Sequence, residues 1–392
     1  MLLQAGMLAA PDVLPALDFA PPRNLSETAG LSWLGRVIAV DGQVYVAWFE
    51  SGAEGSGLAL RISTDGGDSF GSAQILPDTA FSRKTPGPLP FHMWATRARL
   101  YLIWSVQHEG AGSHIGVTSY ERAAQAMRSR RLAEGIHAAG LPVILADDDR
   151  IYAAWLAESP RVRGRRSIAL AWSQGDELAF EGPREVLTHA AADSSSLLMA
   201  AWQGRLWLCW VERAGNGEVL RMARSTDGGA HFDKPLALAR TAGSVHPHKL
   251  IVEGARVFVA WLESSRSATE GRLRVAVSTN AGVSFKAPAL LSNRALSTAA
   301  ISGDGREAVY AAWSERDGEN TRVAFSRSND GGRTFSSPMT VFRGRTGPVQ
   351  FTQLQRTPEW LVIIWKAEDA ARGGKSGIFY SASPDKGKTF SP

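Results

Sequence analysis

Short apolar runs recur along the chain at a nearly constant spacing. They read VYVAWFE at 44–50, LYLIWS at 100–105, IYAAWLAE at 151–158, LWLCWVE at 206–212, VFVAWLE at 257–263, VYAAWSE at 309–315 and LVIIWKAE at 361–368. Their anchors are Trp48, Trp104, Trp155, Trp210, Trp261, Trp313 and Trp365, separated by 56, 51, 55, 51, 52 and 52 residues. Three positions before each Trp stands Tyr45, Tyr101, Tyr152, Trp207, Phe258, Tyr310 or Val362. Side chains alternate faces along a strand, so residues three apart point to opposite sides. Each run therefore predicts a strand that is apolar on both faces and covered on both. A strand sandwiched between neighbouring sheets meets that condition, whereas one exposed hairpin does not.

A polar pattern follows most anchors. STDGGDSF at 63–70, STDGGAHF at 225–232, STNAGVSF at 278–285, SNDGGRTF at 328–335 and SPDKGKTF at 383–390 share the form Ser-x-Asp-x-Gly-x-x-Phe, with Asn280 replacing Asp once. Ser and Asp side chains satisfy free backbone N–H groups in a tight turn, and Gly accepts a positive φ. The closing Phe is expected to staple the turn to the sheet. Segment 173–180 keeps only Ser173 and Phe180, and the stretch around Ser119 and Glu121 departs further.

Each period then reads as four strands: a first strand such as 35–40, a turn such as Asp41-Gly42, the Trp strand, a third strand such as 58–63, and a fourth after the polar turn, such as 72–76. Four short strands per period of about 50 residues predict an all-β, seven-bladed β-propeller with four antiparallel strands per blade. The last period stops after its turn and lacks a fourth strand. Residues 22–26, which resemble the fourth strands at 285–295 and 335–347, are expected to supply it, closing the ring and removing a free edge. The expected organisation is an N-terminal arm or signal remnant at 1–18 and one propeller domain at 19–392.

Composition changes this picture little. At 392 residues, length alone suggests two or three domains, but the repeat makes one. Apolar residues are 44% and charged residues 21%, ordinary globular usage. Cys209 is the single cysteine, so no internal disulfide forms. No apolar stretch is long enough to span a bilayer as a helix. The net charge of +5 is spread along the chain, with one local group at Arg161, Arg163, Arg165 and Arg166, and gives no dense basic stripe for nucleic acid. No phosphate loop or dinucleotide fingerprint is present.

The Ser-x-Asp-x-Gly-x-x-Phe turns resemble the Asp-box (BNR) repeats of the sialidase superfamily, over about residues 19–392. The resemblance implies the propeller fold and an extracytoplasmic place, periplasmic or secreted. It does not carry the enzymes' catalytic set. In that family the first arginine of a triad lies in an Arg-Ile-Pro motif on the first inner strand. Arg36 occupies a similar place, but Val37 and Ile38 follow it. Tyr45, Tyr101, Tyr152 and Tyr310 are spent in the Trp strands, and Tyr120 and Tyr380 fall on third strands, leaving none where the family places its nucleophile.

In a propeller, loops leading into first strands share a face with loops leaving second strands. That rule sends His92, His137, His246 and His248 to the channel mouth, together with Arg36 and Lys249. These six are the candidate ligand-binding residues. Arg binds carboxylate and phosphate bidentately, so an anionic ligand fits. His-x-His at 246–248 aligns two imidazoles on one side of an extended strand. His92, His246 and His248 are therefore candidate ligands for a divalent transition metal, against the simpler reading of loop histidines bonded locally. Glu50, Glu212, Glu263 and Glu315 sit two residues after their Trp. Repetition favours a structural role, such as pairing with Arg of a neighbouring blade, over the paired carboxylates of a glycosidase. Trp94 reads as core or as a sugar platform. The expected function is a binding or scaffolding propeller for a glycan, another anionic small molecule or a protein partner, acting as a monomer and without nucleic acid. The alternatives are a sialidase-like glycoside hydrolase and a histidine-based metal protein.

Overall fold

The computed structural model describes residues 25–26, 31–52, 55–79, 91–108, 112–136, 142–147, 149–159, 166–175, 178–189, 196–264, 270–303, 307–344, 349–356, 360–369 and 375–390. They form 26 strands and no helix. The first unit comprises β1 (Leu31–Val40), β2 (Gln43–Gly52), β3 (Gly55–Ser63) and the short β4 (Gln74–Ile75). The second comprises β5 (Phe91–Ala95), β6 (Arg99–His108), β7 (Gly112–Glu121) and β8 (Ala126–Ile136). The third comprises β9 (Val143–Asp147), β10 (Arg150–Glu158), β11 (Arg166–Gln174) and β12 (Glu181–His189). The fourth comprises β13 (Leu197–Trp202), β14 (Arg205–Ala214), β15 (Gly217–Ser225) and β16 (Leu236–Thr241). Each is an antiparallel four-stranded sheet in sequence order.

The fifth and sixth units depart from the expected scheme. They comprise β17 (Ser244–Glu253), β18 (Arg256–Ser264), β19 (Gly271–Ser278), β20 (Ala289–Gly303), β21 (Val309–Asp317), β22 (Asn320–Ser328) and β23 (Met339–Gly344). These strands form one seven-stranded sheet, because β20 serves as the fourth strand of one unit and the first of the next. A shift of register between Ala295 and Ala299 marks the change of partner. The last unit has three described strands, β24 (Gln350–Arg356), β25 (Leu361–Asp369) and β26 (Lys375–Ser383). Of the segment expected to complete it, residues 22–24 lie outside the described residues, and Leu25 and Ser26 are not in a strand.

The first strands β1, β5, β9, β13, β17, β20 and β24 pack side by side in chain order. The sheets face one another across six apolar clusters, each shared by two successive units. This is a propeller arrangement, and the two-faced Trp strand explains it. Trp104 packs toward the first unit and Tyr101 toward the third. Trp155 and Tyr152, Trp210 and Trp207, Trp261 and Phe258, and Trp313 and Tyr310 divide in the same way. Each such side chain removes ~150–250 Å² from water, on the order of 4–6 kcal/mol of favourable burial.

The polar turns behave alike in five units. Ser63, Ser225, Ser278, Ser328 and Ser383 each donate Oγ–H to the Asp or Asn two residues on, at 2.6–2.8 Å, and accept the N–H of Gly67, Gly229, Gly282, Gly332 or Gly387 at 2.7–2.8 Å. In four of them the closing Phe, at 232, 285, 335 or 390, packs on the cluster shared with the preceding unit. The glycine explains why. Gly282 has φ +83°, and a Cβ there would stand 2.8 Å from Trp207 Nε1 of the preceding unit. These turns therefore press each unit onto the one before it.

Candidate functional site

Register identifies equivalent positions on the first strands. The residue just before each Trp pairs, on the first strand, with Arg36, His92, Val143, Leu198, Lys249, Ala300 or Gln353. These seven positions form one layer. Three of them are basic, and they come from β1, β5 and β17.

The layer sits where the wall opens. β1, β17, β20 and β24 each shift register on the mouth side of it, and β5 and β9 begin at or next to it. A bulge bends a strand and breaks its alternation. In β17 the bulge falls between Pro247 and Lys249, and Pro247 has no N–H to give the ladder. His246 is exposed and pairs opposite Leu262. The side chain of His248 and all of His137 lie outside the described residues.

Antiparallel partners share a face, so the layer residues of the first six units lean toward the following unit. The Arg36 guanidinium carbon stands 5.6 Å from the centroid of the Phe91 ring on β5. His92 Nδ1 accepts the Ile144 N–H of β9 at 3.3 Å. With Nδ1 taken, neutral His92 carries its proton on Nε2 and is a donor. Arg36 and Lys249 are reachable by solvent but flanked by protein, and poor solvation lowers the pKa of both. His92 is pushed down to about 4, first by burial, then by the charge of Arg36, with Lys249 adding to it against the Ile144 hydrogen bond. Among the described residues, no carboxylate pairs with Arg36 or Lys249. The layer thus presents two cations and one N–H donor, and no counter-charge.

Other candidates are committed elsewhere. Glu50, Glu263 and Glu315 accept the indole N–H of Trp48, Trp261 and Trp313 at 2.9, 2.9 and 2.7 Å. Glu212, Glu263 and Glu315 also pair with Arg221, Arg274 and Arg322 at 2.6, 3.1 and 2.6 Å. These arginines belong to the third strand of the same unit, next to the glutamate, and Glu315 also pairs at 3.6 Å with Arg294, on the part of β20 that completes the preceding unit, so the expected pairing across units holds at this one glutamate. Burial would raise the Glu315 pKa, but hydrogen bonds from Ser292, Trp313 and Arg322 outweigh it and hold it low. Tyr45, Tyr101, Tyr120, Tyr152 and Tyr310 are buried, and all six tyrosines lie on second or third strands. Among the described residues, no three His, Cys, Asp or Glu side chains are grouped to hold a metal. Cys209 is fully buried, and burial alone raises its pKa. Among the described residues, no helix is long and apolar enough to cross a membrane.

Trp94 on β5 is 38% exposed, so it is not core. The signal for the layer itself was present in the sequence, since counting back from each Trp through the hairpin turn reaches its partner.

No protein-family model matches the chain, and no curated protein matches it. Among solved structures, an ulvan lyase of polysaccharide lyase family 25 aligns with a TM-score of 0.60 at 10% identity, covering 89% of this chain and 91% of that one. The same TM-score, identity and coverage hold for that enzyme bound to -[GlcA(1-4)Rha3S]-. A sialidase from Streptococcus pneumoniae aligns at 0.46 and 9% identity, covering 92% and 69%, too loosely to carry an argument. The chain has a β-propeller fold like that of the ulvan lyase.

Proposed function

We propose that this protein binds a uronate-bearing glycan at the mouth of its channel, through Arg36, His92 and Lys249. The observation that carries this reading is the layer at which two cations and a histidine from three units stand at equivalent register, with both cations lowering the pKa of His92 and no carboxylate paired with either. Like charges gathered in a poorly solvated place repel one another, and an anion between them relieves that repulsion. A carboxylate accepts two N–H groups of Arg36, one from His92 Nε2 and one from Lys249. An ulvan lyase of the same fold, seen with a GlcA-containing oligosaccharide, supports the choice of an acidic sugar.

Binding without cleavage is the reading adopted. It is supported by the engagement of Glu50, Glu212, Glu263 and Glu315 with indoles or arginines and by the absence of a tyrosine on any first strand. Isothermal titration with a glucuronate oligosaccharide tests it, with the reducing ends counted afterwards. Saturable binding with no new ends is expected, and new ends would replace this reading with a lyase or hydrolase.

The polar turns are read as Asp-boxes, the ring as seven blades, and its closure as the work of residues 22–26. Trp48 supports closure: it is buried, although its face of β2 looks away from the second unit. Gly67 meets nothing closer than Val44 of its own unit, whereas its counterparts press on a preceding unit. Removing residues 1–27 is expected to lower Tm by about 4 °C or more, the shift that follows from about 3–5 kcal/mol in a chain of this length. An unchanged Tm would refute closure by this segment. A glycan ligand and the fold together favour a periplasmic or secreted protein, which cell fractionation tests.

A further inference from the structure

One face of β5 is left uncovered by its neighbours. Phe91 and Met93 are buried toward the first unit, whereas His92 is half-buried and Trp94 is 38% exposed on the other face. Register places Trp94 opposite Tyr101, three residues before the Trp of its unit. Among the equivalent positions, Leu145 is buried and Ile38, Ala200 and Ile251 pack against clusters. Where four other units place a packed aliphatic side chain, this one places an indole that is partly exposed to water. A large apolar surface at a channel wall beside unpaired cations marks a place for a ligand.

The geometry along the strand is specific. His92 and Trp94 are two residues apart, so they share a face and stand roughly 6.5–7 Å apart along β5. A sugar whose carboxylate lies on the basic layer places its linked neighbour along β5, with the apolar face of that ring toward the indole. Tryptophan suits this contact because it offers a wide apolar surface with little rotamer entropy to lose.

We propose that Trp94 is a stacking platform for the sugar that adjoins the uronate, so that the site selects an oligosaccharide over a single acidic sugar. The proposal rests on the reading of the basic layer as the acid site.

The test measures affinity for glucuronic acid and for a glucuronate-containing tetrasaccharide in the full-length protein. The unmodified protein is expected to bind the tetrasaccharide at least about tenfold tighter, the scale of one buried aromatic contact. Trp94→Ala should erase that gap while leaving glucuronic acid within about twofold, and Trp94→Phe should restore part of it. Trp202→Ala, which removes an equally exposed indole at the turn end of β13, should change neither. In the unmodified protein the tetrasaccharide, but not glucuronic acid, should shield an indole from acrylamide, and Trp94→Phe should lack that signal even if Trp94→Ala does not fold. A Trp94→Ala protein that keeps the full gap, or loses both sugars equally, overturns the platform and leaves the acid site standing. Failure of the unmodified protein to bind either sugar overturns the acid site and the platform with it.

Discussion

The second strands of this propeller are near copies of one another, and the first strands facing them are not. In six of the seven units an aromatic three residues before the Trp and the Trp itself are both buried. One hydrogen-bonding step away, the wall layer carries Arg36, His92, Val143, Leu198, Lys249, Ala300 and Gln353, with no shared chemistry. The repeated positions meet the same neighbours in every unit and therefore carry the fold. The unrepeated ones differ in their surroundings: Val143 and Leu198 pack between units, whereas Arg36 and Lys249 reach solvent, and there a site can form. Substitutions on the two sides of this divide should behave oppositely.

The largest effect belongs to the repeated side. Trp261 is fully buried between the fourth and fifth units and donates to Glu263. Trp261→Ala should cost about 3–5 kcal/mol in urea unfolding, whereas Arg36→Ala should stay within about 1 kcal/mol. Equal costs would erase the divide.

Next comes the contact between units. Gly282→Ala meets both a positive φ and Trp207, and should cost about 2–4 kcal/mol. Gly254→Ala, with φ +62° and open space around it, should cost only about 1–2 kcal/mol. The difference isolates the pressure of the turn on the preceding unit, and no difference would remove that role.

Acid should act through the same turns. Asp227 is held near 2, first by the His231 N–H; Asp385 is held near 2 by hydrogen bonds from Thr389, Ser383 and Lys388 that outweigh its burial. Asp65 and Asp330 are also lowered, chiefly by hydroxyls of Ser63 and Thr334. An unfolded Asp titrates near ~3.9. Below that the unfolded chain binds more protons than the folded one, so this stabilisation is whole above about pH 4 and drains as pH falls toward 2. Asn280 makes the same bonds without titrating, at 2.8 Å from Ser278 and 3.1 Å from Ser284. Asp227→Asn should therefore fold normally and show a shallower loss of Tm between pH 4 and 2. An unchanged slope contradicts the assignment.

The smallest effect lies on the unrepeated side. Neutral His92 titrates near 4 in the free protein, and a bound carboxylate favours its protonated form. Binding should take up a fraction of a proton and strengthen as pH falls from about 6 toward 4. His92→Gln should flatten that dependence, and a flat profile in the unmodified protein would take His92 out of the site.

Much of this fold was legible because repetition multiplied a weak signal. One VYVAWFE run is ambiguous, but seven in phase specify a strand, its two faces and its neighbours. The fusion of two strands into β20 was not legible, since its 15 residues, Ala289–Gly303, carry no mark of where one unit hands over to the next. Of the candidate site, Arg36, His92 and Lys249 fall in one layer, whereas the side chain of His248, the proposed companion of His246, lies outside the described residues at a bulge next to a proline. Alternation predicts faces only while the ladder is regular, and the mouth of this channel is where it stops being so. Trp94 was visible as a residue outside the framework, but its exposure depends on how two sheets diverge, which no local pattern encodes.

The most direct measurement is a calorimetric titration of the intact protein with a glucuronate oligosaccharide and with its carboxyl-reduced, neutral counterpart. The account predicts saturable binding of the acid and none of the neutral sugar, with at least about a tenfold loss of affinity in Arg36→Ala and in Lys249→Ala at unchanged Tm. Equal binding of both sugars, or full affinity in both variants, would contradict it.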